Sequence, residues 1–480
     1  MLEKLDPKPV WKYFEQFCGI PHPSGYEEKA VNFIIDCATA LGLSAITDAT
    51  GNVLVRKAAK NPSDNRATVV LQSHLDMVPQ KNNSTEHDFR KDPIRPWIDG
   101  EWVKARDTTL GADNGIGVAL ALAVLENKDI NHGPIEALFT LDEERGMTGA
   151  LGLVEGFLAG RKMINLDTEN EHEICIGCAG GTDIIATLPA SFTEVDNSHA
   201  AHTISVTGLR GGHSGMEIHL NRGNALKIMN RLLVAAASAC DLRIADLHGG
   251  SARNAIPREA FATVTIPSGE TDAFTAAIGD MRKTIATSLT ETDADFTVTV
   301  TAAARPERVT SLKSRDDLIA VLSECPYGVQ RMSDTMDGAV ETSNNLSVVS
   351  VSPDAFRIEC MLRSSSDERL EGYRNRITTI FTDRGASVDY GSNYPGWQPD
   401  PQAALLAVMK STHNDIYGKD PDVVAVHAGL ECGIIGARFP GMEMISCGPT
   451  IRFAHSPDEQ MHIPSVERFW RWLVAGLERL

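Results

Sequence analysis

Hydrophobic and polar positions change rhythm twice along this chain. Up to about residue 183, helix-like and strand-like segments alternate, the pattern of an α/β sheet with helices on its faces. Three short apolar runs predict strands: Ala67 to Ser73 (ATVVLQS), Ile135 to Leu141 (IEALFTL) and Met163 to Leu166 (MINL). Each runs into groups able to ligate: His74, then Asp142, Glu143 and Glu144, then Asp167. Open α/β sheets place their sites outside the carboxyl ends of strands, so the three runs predict one converging site. Between them, Asp113 precedes NGIGVALALAVLEN, which is apolar nearly all round and predicts a buried helix with Asp113 at its mouth.

From about residue 184 the texture becomes strands of alternating pattern, HTISVTGL, FATVTI, FTVTVTA and LSVVSVS, interleaved with amphipathic stretches near 224–240, 272–288 and 367–384. This predicts a separate α+β domain. After the Gly- and Pro-rich GSNYPGWQPDP, a helix-like AALLAVMKSTHNDIYG, strand-like DVVAVHAG and MEMISCG, and a final WRWLVAGLERL helix resume the earlier style. The expected organisation is a discontinuous catalytic domain, 1–183 with 393–480, carrying an inserted domain, 184–392. A linear chain of three domains is the competing reading.

Composition narrows the function classes. At 480 residues the chain is long enough for two or three domains with their own cores. No apolar run approaches the ~18 to 20 residues that span a bilayer. Forty-five Lys and Arg against 64 Asp and Glu give a net charge of -19, which repels phosphate backbones and anionic lipid surfaces. Neither nucleic acid nor membrane is therefore an expected partner. Nine cysteines without a regular framework suit a reducing cytoplasm. The start, MLEKLDPKPVWKYFEQF, lacks the pattern of an export signal. Cys175 and Cys178 form a C-x-x-C with no second pair to complete a zinc ribbon, and read as structural.

The candidate chemistry lies in a scattered set of acids and histidines. His74 and Asp76, two apart at a strand end, point the same way, so Asp76 can orient His74 as a ligand. Adjacent Glu143 and Glu144 repel each other unless a cation or shared proton absorbs the charge, and point in different directions, so one can bind metal while the other reaches a water. Singly, each has a plain reading: a surface histidine near an acid, a solvated acidic loop, or, for Asp113, a helix N-cap. Taken together, His74, Asp113, Glu144, Asp167 and the late His455 supply two imidazoles and three carboxylates, a set suited to two zinc-type ions with one carboxylate bridging.

SHLDMVP, TTLGADNGIGVA, TLDEERGMTGA, INLDTEN and GPTIRFAHSPDE resemble, in order and spacing, the M20 metallopeptidases of the aminoacylase and carboxypeptidase G clan. The intervals 74 to 113, 113 to 144 and 144 to 167 are 39, 31 and 23 residues. CGIPHPSGYEEK, GLRGGHSG, ARNAIPREA, CMLRSSSDE and VHAGLECG look like the cytosolic aminoacyl-histidine dipeptidase (peptidase D) branch, and the resemblance spans essentially the whole chain. It implies a zinc-peptidase-like α/β catalytic domain with a mixed sheet, an inserted α+β lid and dimerisation domain, and a homodimer.

The resemblance further implies two divalent ions, zinc first with cobalt or manganese as alternatives. Asp113 would bridge them, with His74 and Asp167 on one ion and Glu144 and His455 on the other. Asp76 would orient His74. Glu143 would be the general base for a metal-bridging water that attacks unblocked dipeptides, Xaa-His and β-alanyl-histidine among them. On the lid, His213, Asn254, Arg363 and Gly429 would contact substrate. The Asp113-Asn114 peptide bond would be cis. His427, His219 and His22 read equally as pocket or structural residues.

Three rivals remain at this level. An N-acyl amino acid amidohydrolase, deacylase or carbamoylase would use the same scaffold, since fold does not settle substrate. A silent metal-binding assembly protein would have lost Glu143, which is present. Phosphate binding by GADNGIGVA lacks a P-loop Lys, and Asp113 would repel the anion.

Overall fold

A computed structural model describes residues 2–61 and 65–480. The chain forms two compact units: Met1–Cys178 with Trp397–Ala425 and Leu430–Leu480, and Ala179–Gly396 with Val426–Gly429.

In the first unit an eight-stranded sheet runs in the order Ser44–Thr47, Val53–Lys57, Ile135–Thr140, Val69–His74, Lys162–Asn165, Glu443–Ser446, Glu173–Cys178, Asp422–Val426. Its middle is parallel, with His74 opposite Thr140 and Gln72 opposite Asn165. Strands at either side run antiparallel, so the sheet is mixed. Every residue of Val69–His74 and Ile135–Thr140 is buried, because helices cover both faces of a parallel sheet. That is why these strands appear in the sequence as continuous apolar runs. Being parallel, they deliver their following residues to one edge.

The helix Ala112–Glu126 is buried from Asn114 to Leu125. A Cβ at Gly115 would stand 3.3 Å from Phe17 and 3.4 Å from Phe14, so glycine permits the close approach of the helix Lys8–Cys18. The Asp113-Asn114 peptide bond is cis, as expected. The last helix spans Ile463–Leu477, earlier than the WRWLVAGLERL pattern suggests, and opens with proline in its first turn, where no amide hydrogen is needed. Among the described residues, no helix is long and apolar enough to cross a membrane.

The second unit is α+β. Its antiparallel sheet runs Thr297–Ala302, His199–Thr207, Ala260–Pro267, Arg243–Gly249, Val340–Val351, Ala355–Ser364, Gly180–Pro189, Ser387–Tyr394, with Gly328–Met332 beside Val340–Val351. Alternate residues of Ala260–Pro267 are buried and half-exposed over its first half, the period-two pattern read in FATVTI. The helices Ala225–Ala239 and Thr271–Leu289 contribute Leu226, Met229, Leu232, Phe274 and Ile278 to the core. The sheet reaches past 184–392 at both ends, since Gly181 pairs with Tyr394.

Candidate active site

The centre of the first unit is Asp113. Its Oδ1 lies 3.1 Å from His74 Nε2 and its Oδ2 3.1 Å from His455 Nε2. Asp167 Oδ1 is 3.5 Å from His74 Nε2, and Glu144 Oε1 is 3.0 Å from His455 Nε2. Asp113 therefore faces two imidazoles, one through each oxygen, and each imidazole has a further carboxylate of its own. His74 is the last residue of its buried strand, Asp167 follows the strand Lys162–Asn165, and Asp113 follows the left-handed Gly111 (φ 70°) at the mouth of the buried helix.

The acidic pair does not continue a strand. The strand stops at Thr140, Asp142 takes a positive φ of 54°, and Glu143–Gly146 form a single helical turn. Asp76 holds that turn: its Oδ1 accepts Glu143 N–H at 2.9 Å and its Oδ2 accepts Glu144 N–H at 3.2 Å. Asp76 Oδ1 also lies 3.3 Å from His74 Nδ1. The Asp76 carbonyl oxygen lies closer still to His74 Nδ1, at 3.1 Å, so this one residue fixes both the imidazole and the turn that carries Glu143.

The centre fits divalent cations. Asp167 Oδ1 and Glu144 Oε1 are buried, and the groups beside them are the imidazoles of His74 at 3.5 Å and His455 at 3.0 Å. His74, Asp113 and Glu144 offer ligand atoms all within 4.8 Å of one another. Gathering this many acids around two imidazoles is costly unless positive charge is supplied. Burial pushes the Glu143 carboxyl well above its usual range; His74 works against this, and Asp167 and Glu144 add to it. That is the direction a group needs if it is to hold a proton and return it near neutrality. A second acidic group, Glu27, Asp76 and Asp142, is internally engaged: Asp142 accepts from Arg145 Nε at 2.6 Å and Thr148 Oγ1 at 2.7 Å, and Glu27 from Gly25 N–H at 2.6 Å.

Three acids near the centre escaped the sequence reading. Glu459, four residues after His455, accepts backbone N–H groups from Leu110 (2.7 Å), Gly111 (3.0 Å), Ala112 (2.7 Å) and Asp113 (3.3 Å). It caps the buried helix N-terminus and fixes the backbone that aims Asp113. Glu431, in the same GLECG segment as Gly429, accepts from Gln72 Nε2 at 2.6 Å and Thr140 Oγ1 at 2.7 Å, tying two site strands together. Burial raises its carboxyl to about 7. Glu169 is raised to about 8 by burial and then by Asp113 and Asp167. Their only sequence signal is proximity to motif residues. Replacing Glu459 by Ala strands buried amides and is expected to destabilise the fold by about 3 to 5 kcal/mol, read as a lower urea midpoint. An unchanged midpoint would contradict the capping role.

The second unit gathers the other candidates. Gly212-His213 pairs with Ala255-Ile256, His213 opposite Ala255, which brings Asn254 alongside; Asn254 O accepts Ser214 N–H at 2.8 Å. Gly212 sits at φ 140°, open to glycine but not to side-chain-bearing residues. His213 Nδ1 accepts the N–H groups of Gly215 (3.2 Å) and Met216 (3.0 Å). With Nδ1 an acceptor, the neutral ring carries its proton on Nε2. Burial and then Arg363 lower its pKa and keep it neutral.

Arg363 is 3% exposed. Its Nη1 donates to Tyr394 Oη at 3.0 Å and its Nη2 meets Met361 Sδ at 3.4 Å, while Nε has no hydrogen-bond partner. No carboxylate pairs with it among the described residues, so this buried charge lacks a counter-ion of its own. Gly429 closes the short Val426–Gly429 segment, whose Val426 and Ala428 carbonyls accept Ala179 N–H at 3.2 and 3.0 Å. The structure thus brings together His74, Asp76, Asp113, Glu143, Glu144, Asp167 and His455 in one unit. His213, Asn254, Arg363 and Gly429 lie in the other.

Two imidazoles sharing one carboxylate at the outflow edge of parallel strands make a centre for hydrolysis assisted by cations. The chain belongs to peptidase family M20/M25/M40, whose pattern matches residues 70–479. It is 43% identical over 479 residues to the cytosol non-specific dipeptidase of Escherichia coli K12, covering 100% of this chain and 99% of that one. The crystal structure of aminoacylhistidine dipeptidase from Vibrio alginolyticus matches with a TM-score of 0.94 at 43% identity, covering 100% of this chain and 98% of that one. Aminopeptidase PepT from Bacillus cereus, at 17% identity over 99% of this chain and 98% of that one, shares the fold with a TM-score of 0.58.

Proposed function

We propose that this chain is a cytoplasmic two-metal dipeptidase that hydrolyses unblocked dipeptides, including Xaa-His and β-alanyl-histidine, as a homodimer with zinc as its ions. The observation that carries the reading is Asp113 facing His74 through one oxygen and His455 through the other, with Asp167 and Glu144 flanking. His74, Asp113 and Asp167 would hold one ion and His455, Asp113 and Glu144 the second. Such ions polarise the scissile carbonyl and make water acidic enough to attack at neutral pH.

The remaining steps belong to side chains. Glu143 takes a proton from the attacking water and returns it to the leaving amine, which its raised pKa suits. Asp76 keeps the Glu143 turn and the His74 ring in place. The Nε2 proton of His213 is free to be donated to the carbonyl oxygen as it gains charge. Arg363 supplies the charged fork for the dipeptide carboxylate, which would be the counter-ion it lacks. Asn254 and Gly429 line the same substrate side. In this account the second unit acts as the lid.

His213→Ala is expected to lower kcat by roughly 10² to 10³ with metal content and melting temperature unchanged, since its contact strengthens in the transition state. An unchanged kcat would remove His213 from the chemistry. Substrate class is tested with a panel of unblocked dipeptides set beside N-acetyl amino acids. Cleavage of the dipeptides alone is expected. Cleavage of the acetylated compounds alone would replace this reading by an N-acyl amino acid amidohydrolase on the same scaffold.

A further inference from the structure

Four neighbouring strands of the first unit's sheet carry a buried polar residue close to the edge where the site forms: Thr140, Gln72, Asn165 and Ser446, each at most 2% exposed. Strands covered on both faces are normally apolar, and a polar side chain there is costly unless it is hydrogen-bonded. These four are linked into one row. In the ladders Asn165 stands opposite Gln72 on one side and Ser446 on the other. Thr168 Oγ1 lies 2.7 Å from Ser446 Oγ, Ser446 Oγ donates to Asn165 Oδ1, and Asn165 Nδ2 donates to Gln72 Oε1 at 2.5 Å. Gln72 Nε2 in turn donates to Glu431 Oε2 at 2.6 Å, and Thr140 Oγ1 donates to the same oxygen at 2.7 Å.

The row has a direction. The Ser446 hydroxyl spends its proton on Asn165, so Thr168 donates to Ser446, and every N–H and O–H along the row points toward Glu431. Glu431 is the terminal acceptor that holds both amides in one orientation. Two ligands of one ion sit on this row. Asp167 lies between Asn165 and Thr168, and the one hydroxyl of Ser446 engages both of those neighbours. Leu166 N–H donates to Gln72 O at 2.9 Å, which stitches the segment before Asp167 to the next strand. Gln72 precedes His74 by two residues and so shares its face, while Thr140 stands opposite His74. Glu144 and His455 are held otherwise, the first on the turn that Asp76 grips and the second on a loop where Phe453 and His455 take left-handed φ of 58° and 63°.

We propose that Glu431, Gln72, Asn165 and Ser446 are positioning residues for a single ion: the row sets the spacing of His74 and Asp167 and thereby the affinity of the ion those two would hold, leaving the Glu144 and His455 ion largely untouched. This rests on the two-metal reading and deepens it, because it makes the two positions unequal and names the residues that set one of them.

The test is zinc binding by the full-length chain, stripped of metal and titrated in competition with a chromophoric chelator, with bound metal counted by elemental analysis. Glu431→Ala and Ser446→Ala are each expected to weaken one ion by ~10- to 100-fold, the scale on which residues behind a ligand act, and to leave the other within about threefold. Glu431→Gln keeps an acceptor oxygen and is expected to recover most of the affinity. A Gln variant as weak as the Ala variant would mean that the charge of Glu431 matters and its place in the row does not, which overturns the proposal. Double variants identify the ion: Ser446→Ala should cost nothing further in Asp167→Ala protein and should loosen the remaining ion in Glu144→Ala protein. A role confined to fold stability would lower the urea midpoint without separating the two ions. Equal weakening of both ions, or unchanged binding of both, would overturn the proposal. If Glu431→Ala does not fold, Ser446→Ala, which removes one hydroxyl, decides by the same criteria. Wild-type protein that does not bind two zinc ions would instead defeat the two-metal reading itself.

Discussion

Glu143→Gln protein is expected to bind as much divalent metal as the wild type and to turn over at least ~10² to 10⁴ more slowly, the range that general-base catalysis contributes. The substitution keeps the shape of the side chain and removes only its ability to take a proton. The turn itself should survive, because Asp76 holds it through the backbone N–H groups of residues 143 and 144 and not through the Glu143 carboxylate. Metal content by elemental analysis and kcat by dipeptide hydrolysis are read on the same sample. Undiminished kcat with full metal would remove Glu143 from the reaction.

The second large effect is at Asp113. Its two oxygens face different imidazoles, so Asp113→Ala should lower occupancy at both metal positions, whereas loss of Asp167 or Glu144 should weaken one more than the other. Activity should fall with occupancy. The Glu459 cap reaches residue 113 through its backbone and leaves the helix start intact in the variant, so a loss of metal would not reflect a loss of fold. Two fully occupied ions per chain in Asp113→Ala protein would reject the shared-ligand role.

Much of the first unit is legible in the sequence for one physical reason. Strands buried on both faces must be apolar throughout, so Val69–His74 and Ile135–Thr140 announce themselves, and parallel pairing sends His74, Asp142 and Asp167 toward the same edge. Helix 112–126 is readable because it has almost no polar face. The helical turn at Glu143 is not, since it depends on a left-handed Asp142 whose side chain is tied to Arg145 and Thr148. The helix Leu312–Glu324 is hard to read because charged Lys313, Arg315, Asp316 and Asp317 fill its first half and leave its buried stripe of Leu318, Val321 and Leu322 confined to the second.

Buried acids are the least visible class. Glu459 and Glu431 resemble solvated carboxylates in a linear sequence; only the fold shows that one caps Leu110 to Asp113 and the other clamps Gln72 and Thr140. The return of Val426–Gly429 to the second unit is equally hidden, being too short to alter local composition. His427 belongs to that segment, and only the fold shows that it is buried with its Nε2 2.7 Å from Ser343 Oγ.

The central claim, that unblocked dipeptides are hydrolysed at a two-ion centre on residues 74, 113, 144, 167 and 455, is tested most directly by metal titration. Protein stripped with a chelator and dialysed free of it is titrated with zinc while β-alanyl-histidine hydrolysis and bound metal are measured together. The account predicts no turnover in the stripped protein and recovery that saturates as binding reaches two ions per chain. Full dipeptide hydrolysis by the stripped protein, or metal binding to saturation without any hydrolysis of unblocked dipeptides, would contradict it.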